Sequence, residues 1–267
     1  MAKKRAAAPP KKKDADLRKD VQEALERLWP DGVVEMLIDS EESYFWDVYP
    51  KLTKALARIK GARLVHEREP DGEPVWWDGS DPEEDPPDDF GYSHSYHLFF
   101  LSPEGEAFTY DTEIEEFVEP EFEEEELGED GFEDELTVET VPGRARAGWS
   151  VAVSLLAPFA VIALDEMATF EDGSTREPGI EPHDFTEEGD STETEEHFRK
   201  SRGEQAFEVL LKLRGRIGAI LGKHGITVLP EVEWRKPAPW LRGGEEAIVG
   251  MMGEPVRVLD AFFFEEL

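Results

Sequence analysis

His94 and His97 stand three apart in the stretch GYSHSYH, a few residues after Asp88 and Asp89. Imidazoles and carboxylates are the side chains that hold zinc, manganese or iron, and a metal so held activates water for hydrolysis. On a strand a spacing of three sends the two rings to opposite faces. Joint coordination therefore needs an irregular backbone, and a metal-dependent hydrolase using His94, His97 and nearby carboxylates stands as an alternative only. Asp165 and Glu166 could join a carboxylate pair for glycoside hydrolysis. In a chain with 63 Asp and Glu such pairs arise by chance.

Other chemistries find less. Cysteine is absent, which excludes thiol catalysis and disulfides and suits a cytoplasmic protein. There is no Gly-x-Ser-x-Gly turn for a serine nucleophile and no His-Glu-x-x-His helix. GAILGKHG (218–225) resembles a phosphate loop but places Gly222-Lys223 one residue early and puts His224 where Ser or Thr would hold magnesium. It also ends a helix instead of starting one. Gly215, Gly218 and Gly222 are expected instead to let helices pack closely, with a helix cap at Gly222 or Gly225. No catalytic residue, cofactor or metal is assigned.

Charge is the chain's outlying property. The formal net charge is −34 over 267 residues, although Lys3, Lys4, Arg5, Lys11, Lys12 and Lys13 sit in the first thirteen. Setting those six cations aside leaves the rest near −40. Such a body repels nucleic acid and anionic lipid and attracts cations over a Debye length of about 8 Å. Nucleic acid could be met only through the basic tail. Mimicry of DNA would need almost all the surplus on one face, since duplex about 45–50 Å long carries roughly 28 charges. The acids are instead spread over 31–47, 67–136 and 165–196.

The densest acidic stretch lies between Glu119 and Leu136, with eleven Asp or Glu and no Lys or Arg. Ionised carboxylates are too costly to bury unpaired. Glu123, Glu124, Glu125, Glu126, Glu129, Asp130, Glu133, Asp134 and Glu135 must therefore face water or a cation. Phe122, Leu127, Phe132 and Leu136, threaded among them, can pin the segment to the body. The alternating oxygen ligands and fixed glycine of a calcium loop are missing. These carboxylates are the candidate contact surface for a basic protein. WRKPAPWLRGG (234–244) adds Trp234 and Trp240, of a residue type that often dominates interfaces; the competing expectation is that both bury against the sheet. Arg202, Lys212, Arg214 and Arg216 are expected to pair internally with acids.

These groups need a scaffold. A first helix is expected from Asp14 or Asp16 through Trp29, then a strand at 33–39. A helix capped by Ser40 follows to Gly61, broken or kinked near Tyr49 by Pro50. ARLVHER and PVWW read as strands. SYHLFFLSPEGEAFTYDTEI reads as a hairpin turning at Ser102-Pro103-Glu104-Gly105, with its first strand apolar on both faces and hence central. Trp149, Val151, Val153 and Leu155 share one strand face, with Ser150, Ala152 and Ser154 leaving the other small enough for a closely packed helix. Pro158 suggests a bend before the next strand. One long helix is expected over 195–222, then strands in ITVLP, EAIVG and VRVLDAFFF.

The expected fold is α+β: mostly antiparallel sheet, two N-terminal helices and one long helix in the C-terminal half. Residues 1–13 are expected to be a disordered basic tail and 14–267 a single domain, with a split near 118–136 as the alternative. No apolar run approaches the roughly 18 residues of a membrane span, and no apolar core follows the basic start as in a secretory signal. The function expected is stoichiometric binding of a basic protein in the cytoplasm, as by a bacterial immunity or antitoxin-like inhibitor. A third possibility is that the acidity serves solubility or a salty cytoplasm.

Overall fold

Thr137–Ser154 forms one strand of 18 residues, and the sheet is organised on it. The computed structural model describes residues 16–34, 43–68, 93–118, 137–178, 191–243, 256–263 and 265–266. In chain order these form α1 (Lys19–Leu28), β1 (Val33–Val34), α2 (Tyr44–Leu56), β2 (Ala62–Arg68), β3 (Ser93–His94), β4 (Tyr96–Pro103) and β5 (Thr109–Val118). There follow β6 (Thr137–Ser154), β7 (Phe159–Phe170), β8 (Thr175–Arg176), α3 (Ser191–Arg202) and α4 (Glu204–Lys223). The remainder is β9 (Thr227–Val228), α5 (Glu231–Trp234), β10 (Arg242–Gly243), α6 (Val258–Phe262) and β11 (Glu265–Glu266). The fold is α+β with a mostly antiparallel sheet. Its main path runs β2-β4-β6-β7-β8, with β5 also on β6 and β9 parallel to β7.

The sheet is covered on both faces, as the two-sided apolar pattern of β4 requires. Every residue of β4 is buried. Alternation sends Phe99 and Leu101 to one core, with Trp149, Val151 and Val153 of β6 and with Phe45, Leu52 and Leu56 of α2 and Phe207, Leu210 and Ile217 of α4. Tyr96 and Leu98 face the other core, with Ala152 and Val161 and with Val21 and Leu25 of α1, Trp234 of α5 and Phe262 of α6. Ser150, Ala152 and Ser154 are all fully buried, so the small face of β6 does pack closely. On that face the ring of Phe100 takes the volume a side chain at 148 would need. A Cβ built on Gly148 would stand 2.7 Å from Phe100 Cζ and 2.5 Å from the Leu101 carbonyl oxygen.

Local chemistry explains several element ends. Ser43, not Ser40, caps α2: its Oγ accepts from Phe45 N at 3.2 Å and donates to the Leu155 carbonyl at 2.5 Å. Pro50 lies inside that helix without ending it. It sits on the exposed side, where solvent can replace the hydrogen bond its missing N–H forgoes, while Phe45, Leu52 and Leu56 hold the buried side. α4 ends in a left-handed Gly225, φ +78°, with Ile226 N donating back to Leu221 O at 3.0 Å.

Other expectations are corrected. α1 begins at Lys19 after Arg18, with no side-chain cap, so neither Asp14 nor Asp16 starts it. The long helix is two helices, divided at Gly203, whose φ of +86° is left-handed and breaks the helical path. Among the described residues nothing lies within 4 Å of a Cβ position on Gly215 or Gly222, so no close packing on them is seen there. VRVLDAFFF holds the short helix α6, not a strand; Asp260 accepts from Arg257 N at 2.8 Å and fixes its first turn. The stretches PVWW and EAIVG lie outside the described residues.

The expected hairpin is absent as well. β4 and β5 do not pair with each other; both pair with β6, Leu101 opposite Trp149 and Thr109 opposite Arg146. Both run antiparallel to β6 in one continuing direction, so residues 102–108 bulge opposite Ala147 and Gly148. Gly105, φ +119°, opens a 3-10 turn at Glu106–Phe108, and the buried Phe108 plugs the excursion into the core. β6 is long enough to carry both segments on one edge.

Candidate functional site

The β5–β6 ribbon fixes the two strand ends that flank the acidic segment. Ten register pairs run from Thr109 opposite Arg146 to Val118 opposite Thr137. β7 accompanies β6 only as far as Phe170 opposite Gly143. Beyond that pair the described part of the ribbon is two-stranded. Residues 119–136 thus join two neighbouring strand ends, Val118 and Thr137. Glu123, Glu124, Glu125, Glu126, Glu129, Asp130, Glu133, Asp134 and Glu135 lie outside the described residues, as do Lys3, Lys4, Arg5, Lys11, Lys12 and Lys13. Within the ribbon itself Asp111 and Glu113 are exposed on one face, while Tyr110, Thr112 and Ile114 on the other are half-buried.

A polar brace ties the ribbon to the body. Tyr110 of β5 donates to Glu166 Oε2 of β7, reaching across β6 over the small Ala145 and Ala147, and Arg176 Nη1 donates to Glu166 Oε1 at 2.8 Å. Burial, followed by the hydrogen bond and charge of Glu166, pushes the Tyr110 phenol above its ordinary range. It therefore remains the donor at neutral pH. The Arg202 guanidinium covers the Tyr110 ring at 4.0 Å from its centroid. On the opposite face, Asp165 Oδ2 accepts from Ser150 Oγ at 2.6 Å. Asp165 and Glu166 thus point to opposite sides of the sheet and do not act together as a hydrolytic pair.

Trp234 and Trp240 are 6% and 7% exposed and belong to the core beneath α1, α5 and α6, which corrects their placement as surface contacts. Their stretch is anchored rather than displayed. Arg242 N donates to Gly32 O at 3.0 Å, and β10 pairs in parallel with β1. Glu233 and Asp260, 4% and 2% exposed, are buried acids that the sequence did not mark. Glu233 accepts from Arg18 N at 2.7 Å, at the start of α1, and pairs with Lys236 at 3.1 Å. Asp260 pairs with Arg257 at 2.7 Å. Both are therefore compensated.

His97 is fully buried between Phe45, Tyr49 and Phe99. Its Nε2 lies 3.0 Å from Glu67 Oε1, which also accepts from Tyr49 Oη at 2.9 Å. A carboxylate oxygen accepts, so the imidazole proton sits on Nε2. His94 belongs to β3, opposite Glu265 of β11. Among the described residues no group of three His, Asp or Glu could hold a metal ion; Asp88 and Asp89 lie outside them.

Five cations of α3 and α4 are engaged away from the ribbon, while Arg202 lies over Tyr110. Arg199 pairs with Glu204, Lys200 with Glu196, Lys212 with Glu208 and Arg214 with Glu195, at 3.3 to 4.0 Å. Arg216 donates to the Lys60 carbonyl at 2.7 Å. None of these five contacts reaches the ribbon. No helix among the described residues is long and apolar enough to cross a membrane. Comparison with protein-family models, curated proteins and solved structures found no match.

Proposed function

We propose that this chain acts by stoichiometric binding, offering the carboxylates of residues 119–136 to a basic protein surface. The carrying observation is the register that sets Val118 opposite Thr137, so that both ends of an eleven-acid segment are fixed on one sheet. Fixing the ends lowers the entropy lost when a partner docks. Arg199, Lys200, Lys212, Arg214 and Arg216 of α3 and α4 have carboxylate or carbonyl partners away from the ribbon, which supports a segment whose charge is not spent on those five cations. Like-signed charge of this density speeds encounter with a cationic partner and excludes anionic ones. The most concrete version is a bacterial immunity or antitoxin-like inhibitor in the cytoplasm, a reducing compartment that suits a chain without cysteine.

The test compares the wild type with a variant carrying Glu123, Glu124, Glu125, Glu126, Glu133 and Glu135→Gln and Asp134→Asn. A partner captured by the wild type should dissociate faster from the variant, and its affinity should fall steeply between low and physiological salt. An affinity unchanged by both treatments overturns the mechanism.

A further inference from the structure

The outer edge of β5 is unpaired among the described residues. β5 hydrogen-bonds to β6 on one side, and no strand lies along its other side over Thr109–Val118. Half the N–H and C=O groups of such an edge point outward and are a template for another strand. Ten residues make an edge of about 34 Å.

The two faces of β5 specify what could pair there. Asp111 and Glu113, two apart, are exposed on one face; Tyr110, Thr112 and Ile114 are half-buried on the other. A strand laid beside β5 would set its own alternate residues against each group. A second copy of this chain would bring carboxylate against carboxylate on the exposed face, which disfavours self-pairing. A strand with Lys or Arg at every second position and apolar residues between would match both faces.

We propose that the β5 edge binds an extended basic peptide segment by strand addition, with alternate cations on Asp111 and Glu113. The partner class rests on the function proposed above, but the site is separate from residues 119–136. Backbone pairing supplies affinity in this mode and the alternating side chains supply selectivity. The tail of this chain is a poor occupant, because Pro9 and Pro10 interrupt it and lack the N–H a strand donates.

The probe is a blocked decapeptide of alternating Lys and Val, titrated into the full chain beside the same peptide N-methylated throughout. Charge and side chains are then equal, while the methylated backbone can neither donate nor lie flush against the edge. The unmodified peptide should bind about tenfold or more tightly than the methylated one. It should also protect alternate β5 amides from hydrogen exchange, and Asp111→Lys with Glu113→Lys should weaken it on the order of tenfold. Equal binding of both peptides, unchanged β5 protection, or no binding of the unmodified peptide overturns strand addition while leaving the acidic-segment reading standing. Dimerisation of the chain through β5 without peptide overturns it in favour of self-pairing. If the peptide binds as expected while neutralising residues 123–126 and 133–135 changes no partner's affinity, strand addition stands and the reading of the acidic segment fails.

Discussion

The two ends of β6 are made from one continuous strand and live in different surroundings. From Gly148 to Ser154 every residue is buried, β4 and β7 flank the strand, and helices cover both faces. From Thr140 to Arg144 exposed and half-buried residues alternate, and β7 reaches only to Gly143. The core end can carry no unpaired charge and is fixed by packing. The ribbon end has little core to lose, so its side chains answer to solvent and to whatever approaches. Packed core and exposed ladder are thereby separated along a single strand.

Substitutions should expose that separation. The largest effect is expected from Trp149→Ala at the core end, where a buried ring that donates to Leu210 O at 2.8 Å is lost. A cost of about 3–5 kcal/mol is expected in urea unfolding. A ribbon-end change such as Thr140→Ala should stay within about 0.5 kcal/mol, and equal costs at both ends would erase the contrast. Gly148→Ala comes next, at about 1–3 kcal/mol, because the Leu101 backbone and the Phe100 ring must both move. Removing the shared acceptor by Glu67→Ala should cost about 1–3 kcal/mol, with loss of His97 Nε2–H protection in NMR exchange. Gly215→Ala, at an exposed position of α4, should instead stabilise by about 0.4–1 kcal/mol, read as a higher midpoint. Smallest is the effect of neutralising residues 123–126 and 133–135 on unfolding at physiological salt, expected within about 0.5 kcal/mol. A larger gain that disappears in high salt would point to self-repulsion, and so to salt adaptation, as the business of these acids.

How legible was this in the sequence? The faces of β4 and β6 could be read from alternation alone, because Phe99 and Leu101 against Tyr96 and Leu98 leave no polar side. The class of fold follows from that and from the helical stripes of α1, α2 and α4. Direction of travel could not be read. An apolar run, a turn-like Ser102-Pro103-Glu104-Gly105 and a second apolar run describe a hairpin and a bulged continuing strand equally well. Only the 18-residue partner β6 decides between them. Gly203 carried a signal that was available, a helix-breaking residue amid a helical stripe. VRVLDAFFF has strand-like composition, and a local cap between Arg257 and Asp260, three residues apart, overrides it. Of the candidate contacts, the sequence marked the acidic segment by composition but misplaced Trp234 and Trp240, whose burial depends on α1 and α6 far along the chain. Glu67, Glu233 and Asp260 gave no sign among 63 acids, since only a partner distinguishes a buried carboxylate from a surface one.

Because Val118 and Thr137 face each other across a ladder, a short reversal can bridge them in place of the 18 residues between. An Asn-Gly dipeptide closes such a ladder in the tightest common reversal, and shortening a loop recovers only about 0.6 kcal/mol per halving. The excised form should fold as the parent does, shed eleven negative charges, and accept in their place any insert whose ends lie one strand spacing apart.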